Sequence, residues 1–198
     1  MIETPWLANY DKGVAHSLEP YPDKTLLDFV QDAARTRPSH PAILFKDRVV
    51  TAGELERLSD EFGVALVSLG VKPGDRVALM LPNCPQFLIA ELGAWKAGAM
   101  VAPLNPIYTE EELEGPLKTT GAEIIVALTP FYERLKNVQQ KTALKRIITT
   151  NIKEYLPPLT RLLFTLFAEG KGGHRITRRD GDLAMSDLLS KFRGAPAP

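Results

Sequence analysis

Residues 74–106 read GDRVALMLPNCPQFLIAELGAWKAGAMVAPLNP. An apolar run at 76–81 meets Pro82-Asn83-Cys84-Pro85, helical spacing follows over 85–97, and Gly98 precedes a second apolar run at 99–104. A strand, a helix and a strand with Pro or Gly at each joint predict one crossover unit of a parallel sheet. The alternation continues downstream, with strands expected at 123–128 and 145–150 and helices at 110–119 and 130–141. The run from Glu123 through Ile124, Ile125, Val126 and Ala127 to Leu128 is almost continuously apolar, which predicts burial on both faces. Right-handed crossovers then give an α/β, Rossmann-like, doubly wound and mostly parallel sheet with flanking helices.

Working outward, residues 1–24 predict an extended N-terminal arm anchored by Trp6, Tyr10 and Tyr21 among prolines. Leu26, Phe29, Val30, Ala33 and Ala34 predict a helix ended by Pro38. Residues 42–45 and 49–51 predict a hairpin around Lys46-Asp47-Arg48. Thr51 and Glu54 match a capping box, opening a helix that buries Leu55, Leu58, Phe62, Leu66 and Leu69 and closes at Gly70. Thr109 and Glu112 match a second capping box, so the acidic run Glu110, Glu111, Glu112 and Glu114 reads as a helix start. Pro116 predicts a kink or early stop in that helix. The α/β unit is expected over 25–150. A basic helical appendage is expected over 151–182, and a short helix with a linker-like GAPAP end over 183–198. That end suggests a chain continuing beyond Pro198.

The charges balance, with 24 Lys+Arg against 24 Asp+Glu, so composition gives no support for a nucleic-acid partner. The single Cys84 excludes an internal disulfide and a cysteine zinc site, and fits a reducing cytoplasm. The opening MIETPWLANYDKG lacks the apolar core of a signal peptide. Histidines 16, 40 and 174 lack metal spacing, so no metal ligands are assigned. Neither GxGxxG nor GxxxxGK[ST] occurs, and Pro82 and Pro85 remove amide donors from the turn where a phosphate would sit. Catalytic and cofactor-binding residues are therefore assigned to none of the chain. Cys84 reads as a small packed residue beside a helix start rather than a reactive thiol. Asn83 and Asn105 each follow a predicted parallel strand, where open α/β sheets bind ligands; they are the candidate crevice-lining residues, with turn capping as the alternative.

Leu159, Leu162, Leu163, Leu166 and Phe167 share one helical face, and Phe164 widens it. The run is too short to span a bilayer. With Arg161, Lys171, Arg175, Arg178 and Arg179 nearby, it is a candidate for an anionic membrane surface. The expected location is cytoplasmic, peripheral to the membrane, with packing on a protein core as the alternative. The arm is a candidate homodimer contact.

Leu81-Pro82-Asn83-Cys84-Pro85-Gln86-Phe87, Lys96-Ala97-Gly98-Ala99 and Asn105-Pro106-Ile107-Tyr108-Thr109 leading to Glu112-Leu113, taken in order, resemble the N-terminal region of the adenylate-forming AMP-binding superfamily. Within it the chain is most similar to long-chain fatty acid–CoA ligases. PWLANYDKGV and LPPLTRLLFTLF fit the same resemblance; Thr51-Ala52-Gly53-Glu54-Leu55 departs from it by lacking an aromatic. The resemblance implies a fatty acid substrate, with ATP, magnesium and coenzyme A for a longer enzyme. It implies no cofactor in these residues, because the ATP loop and catalytic lysine of the family are absent. Medium-chain or aryl acid–CoA ligase fragments are the alternatives inside the family; a non-catalytic Rossmann-like membrane- or partner-binding module is the alternative outside it.

Overall fold

The computed structural model describes residues 4–179 and 181–198. The arm opens with a 3-10 turn, Pro5–Asn9, and its Trp6, Tyr10 and Tyr21 stay exposed. Helix α1 (Leu26–Thr36) begins at Thr25. The Thr25 hydroxyl accepts from the Asp28 amide and the Asp28 carboxylate accepts from the Thr25 amide, a reciprocal cap that uses Asp in place of Glu. Strands β1 (Pro41–Phe45) and β2 (Arg48–Thr51) pair antiparallel through Lys46 and Asp47, both left-handed, at φ 47° and 66°. Two consecutive positive φ values match the twist of a tight hairpin.

Helix α2 (Ala52–Ser68) starts at Thr51, whose hydroxyl accepts from the Glu54 amide at 3.2 Å. Only this half of the expected box forms. The Glu54 carboxylate takes Arg48 Nη2 at 2.7 Å instead, a charge-assisted bond stronger than the return bond to a neutral amide. Strand β3 (Arg76–Met80), helix α3 (Pro85–Lys96) and strand β4 (Met100–Pro103) form the predicted crossover. Helix α4 (Glu110–Thr120) carries the Thr109–Glu112 capping box complete. The early stop predicted from Pro116 is absent. The helix runs on to Gly121, at φ 60°, because Leu113 and Leu117 on either side of the proline are fully buried. Strand β5 (Ile124–Leu128) leads through the 3-10 turn Thr129–Phe131 into α5 (Tyr132–Gln139), then β6 (Arg146–Thr150).

Five parallel strands form the main sheet in the order β4-β3-β5-β6-β7, the last being the two-residue strand Leu183–Ala184. Side chains alternate between its faces. Val77, Leu79, Ile124, Val126 and Ile148 face α2 and α3, while Ala78, Met80, Ile125, Ala127 and Ile147 face α4 and α5. The sheet is thus covered on both sides, and strand order reverses between β3 and β5. Helices α2 and α3 cross through two glycines. A methyl group on Gly93 would stand 2.9 Å from Phe62 Cδ1 and 3.1 Å from the Gly63 nitrogen.

Beyond β6, the 3-10 turn Ile152–Tyr155 leads to α6 (Pro158–Leu163), whose last turn widens into a π turn, Phe164–Ala168. The chain then returns to the sheet. β7 (Leu183–Ala184) adds its fifth strand, and α7 (Met185–Lys191) packs against α2. The tail does not leave the body. The Gly194 amide donates to buried Glu61 at 2.8 Å, and Pro198 lies beside Gly63.

Candidate functional site

The carboxyl ends of β3, β4, β5 and β6 share one edge of the sheet, and strand order reverses between β3 and β5, the position at which open α/β sheets bind ligands. Asn83 and Asn105 lie on this edge, after β3 and β4, and both are exposed. The Asn105 carboxamide oxygen accepts from the Ile107 amide at 3.1 Å, closing a local turn that aims the chain at α4. Cys84 is buried at the start of α3, and burial pushes its thiol above the ordinary range. The Phe87 amide donates to the Cys84 carbonyl at 3.0 Å.

The functional-looking chemistry on this edge sits two strands on from β3, at Asn151. Asn151 follows β6 as Asn83 follows β3, but it is buried and central. Its carbonyl accepts from Gln86 Nε2 at 3.0 Å, and its Nδ2 donates to Glu169 Oε1 at 3.2 Å and to the His174 carbonyl at 3.3 Å. Lys153 neutralises Glu169 at 2.5 Å. The Glu154 carboxylate accepts from the Thr150 hydroxyl at 2.7 Å and from the Asn151 amide at 3.0 Å; burial nonetheless holds its carboxyl above the usual range. His174 Nδ1 lies 3.2 Å from the Thr129 hydroxyl and its ring meets Phe164 edge-on. Burial, opposed by Glu169, lowers its pKa, so it stays neutral and hydrogen-bonded near neutral pH.

Sequence reading missed this network because its partners are far apart in the chain. Gln86 and Asn151 are 65 positions apart, and nothing local in either segment announces the other. The one usable signal was Asn directly after a parallel strand, the rule that selected Asn83 and Asn105.

Chemically, the network is a rigid floor. The Thr129 hydroxyl is buried behind His174 and Phe164, the Cys84 thiol is desolvated, and Lys153 is committed to Glu169. The edge does not fit the phosphates of a nucleotide either. Pro85 brings no amide to the first turn of α3, and the Phe87 amide is already taken by the Cys84 carbonyl at 3.0 Å. Among the described residues no three His, Cys, Asp or Glu side chains gather as a metal site. No step through ATP or magnesium is therefore assigned to these residues. A cleft of about 310 Å³ opens at the opposite, amino end of the strands, where Arg76, Lys72 and Arg146 mix with Asp75 and Glu123. Its Arg76 guanidinium is already taken by the Thr120 carbonyl at 2.7 Å.

The family model described as AMP-binding enzyme matches residues 30–169. A long-chain-fatty-acid–CoA ligase of Bacillus subtilis (strain 168) is 34% identical over 85% of this chain and 30% of its own length. One of Escherichia coli O6:H1 is 36% identical over 76% of this chain and 27% of its own length. The chain thus spans less than a third of these curated relatives. Among solved structures, acetoacetyl-CoA synthetase from Streptomyces lividans superposes with a TM-score of 0.68 at 21% identity, covering 87% of this chain and 25% of that one. That superposition shows the shared fold.

Proposed function

The chain belongs to the AMP-binding enzyme family, and on that premise we propose that it is the N-terminal part of an ATP-dependent long-chain fatty acid–CoA ligase. The overall reaction joins a carboxylate to ATP, releasing pyrophosphate, and then passes the acyl group from the adenylate to coenzyme A, releasing AMP. Adenylation is needed because a free carboxylate is a poor electrophile and AMP is a good leaving group. One observation carries the chain-length reading. The relatives that match over most of this chain at 34–36% identity bear the name long-chain-fatty-acid–CoA ligase.

In this reading the 198 residues supply scaffold. They build the doubly wound sheet, stiffen the carboxyl edge of β5 and β6 through Asn151, and offer Asn83 and Asn105 to a crevice completed by further chain. ATP, magnesium and coenzyme A belong to that further chain, and the isolated 198 residues have no activity of their own.

The test has two arms. Purified 198-residue chain with ATP, magnesium and palmitate should release no pyrophosphate above background. The native reading frame, followed past Pro198, should continue into a glycine-rich loop, and its full product should form palmitoyl-CoA in preference to benzoyl-CoA. A stop codon after Pro198, or a preference for benzoate, overturns the reading.

A further inference from the structure

Residues 156–179 run from the turn after β6 back toward β7, and on the way they cross the carboxyl edge of the sheet at Thr129 and Asn151, which follow β5 and β6. Within this strap Glu169 is the only buried residue. Leu159, Leu162, Leu163, Leu166 and Phe167 are exposed on its outer side. Phe164 turns inward against His174 but is only half-buried, as is Ile176. No residue of α6 or its π turn is buried, and neither packs broadly on another helix or strand. The neighbouring α7, by contrast, buries Met185 and Leu188. Apolar burial is what fixes a segment to a folded body, and the inner side of this strap has little of it.

Polar groups hold the strap instead. Glu169 Oε1 accepts from Asn151 Nδ2 at 3.2 Å and from Lys153 Nζ at 2.5 Å, and Arg175 Nε stands 3.9 Å from the other oxygen. The His174 carbonyl accepts from Asn151 Nδ2 at 3.3 Å, and its Nδ1 lies 3.2 Å from the Thr129 hydroxyl. Arg178 Nε donates to the Thr149 hydroxyl at 2.8 Å, and Arg179 Nη2 to Glu133 at 2.7 Å. Water can replace every one of these partners when the strap leaves, so a buried carboxylate holds a segment less firmly than an apolar side chain of the same size. The floor beneath does not depend on the strap. The Asn151 carbonyl is held by Gln86 and its amide by Glu154, both outside residues 156–179.

We propose that residues 156–179 form a lid, latched through Glu169, that opens from the carboxyl edge as a unit while the sheet stays folded. Opening uncovers the Thr129 hydroxyl and the Asn151 carboxamide on the edge where open α/β sheets take ligands. The roots stay in place, because Tyr155 is buried before the strap and Asp182 is bonded to the Ile147 amide after it. Gating segments are drawn from the least stable parts of a fold, and this strap has that character. Every group of the latch belongs to these residues, so the proposal does not rest on the ligase reading.

The experiment is thiol labelling of the folded 198-residue chain carrying Thr129→Cys, with Cys84 in the core as the internal reference. Peptide mapping separates the two thiols, and each rate is referenced to the same thiol in urea. The thiol introduced at position 129 should react roughly tenfold or more faster than Cys84, because lid opening needs less free energy than global unfolding. Adding Glu169→Gln should raise that rate by roughly a further tenfold and leave Cys84 unchanged, since bonds to a charged group are lost. Lys171→Gln, on an exposed side chain outside the latch, should change neither rate. If Thr129→Cys does not fold, hydrogen exchange of the unsubstituted chain decides. The Glu169, Gly172 and His174 amides bond only within the strap, and a helix as short as α6 does not persist once it leaves its support. They should exchange ahead of the β5 amides by the same margin, and Glu169→Gln should speed them alone. Equal rates at the two thiols, or strap amides as slow as β5, overturn the proposal. So does a Glu169→Gln variant that changes nothing, or one that speeds strap and sheet together.

Discussion

The Asp182 carboxylate accepts from the Ile147 amide at 2.9 Å, taking a position on the edge of β6 that a longer β7 would otherwise hold. Its other oxygen accepts from the Tyr132 hydroxyl at 2.8 Å and from Lys136 Nζ at 2.9 Å. One buried side chain therefore joins α5, β6 and the returning segment. Replacing Asp182 with Ala strands the Lys136 ammonium and the Ile147 amide, and should cost about 3 kcal/mol. Urea titration of both proteins checks this. A loss below about 1 kcal/mol would mean that the segment is held by β7 alone.

The crossing of α2 and α3 gives a second expectation. No side chain fits at Gly93, since a methyl would lie 2.9 Å from the Phe62 ring and 3.1 Å from the Gly63 nitrogen. Gly93→Ala should destabilise by about 1–3 kcal/mol although Ala favours helix, because overpacking outweighs the propensity gain of about 1 kcal/mol. Gly115→Ala, on the exposed side of α4 with open space around it, is the matching control and should stabilise. If Gly93→Ala stabilises as well, the helices have room to move apart.

The same crossing holds a nearly buried Lys96. Its Nζ contacts Glu56 at 2.9 Å, Asp60 at 2.6 Å and the Ser59 hydroxyl at 2.8 Å. Lys96→Met leaves two carboxylates facing each other and should cost about 2–4 kcal/mol. Adding Glu56→Gln and Asp60→Asn should recover part of that loss, which a double-mutant cycle measures.

Much of the fold was legible because local patterns carried it. Apolar runs of strand length, helical spacing and the Pro or Gly joints are all readable over 74–150, and the strands and helices fall within a few residues of expectation. Strand β7 was not legible. It is two residues long, and its place depends on Asp182, a side chain that can only be seen at β6 in three dimensions. The Glu54 half-cap failed for a related reason: Arg48, across the hairpin, outcompetes a local amide. At the candidate site, Asn83 and Asn105 were read from position alone, whereas the buried Asn151 network joins segments far apart in sequence.

His174 supplies a pH expectation. Its folded pKa lies below the ordinary 6.5 because burial disfavours the imidazolium, and Lys153 adds to this while Glu169 opposes it. The unfolded chain therefore binds a proton that the folded chain refuses, in a window just below 6.5. Stability should be fully present above that value and fall as pH drops through the window. Glu154, whose folded pKa is raised, acts with the opposite sign above its ordinary 4.5, so the two effects separate only on the His174 side. His174→Gln should flatten the melting-temperature profile between neutral pH and pH 6. A slope as steep as the parent's would place the acid-sensitive group elsewhere.

The arm closes the set. Trp6, Tyr10 and Tyr21 are 52, 43 and 67% exposed, and Leu18 is 79% exposed, so the arm buries little of its own apolar surface. Apolar surface that is already wet in the folded chain contributes little to folding. Removing residues 1–20 should therefore leave the melting temperature within about 2 °C, since about 1 kcal/mol shifts a chain of this size by 2–4 °C. Oligomeric state is the separate readout. If the arm is a homodimer contact, the full chain should elute earlier as its concentration rises, and the shortened chain should not. A shortened chain that melts much lower would show instead that the arm holds the body together. Two monomers with the same melting temperature would remove the arm from both roles.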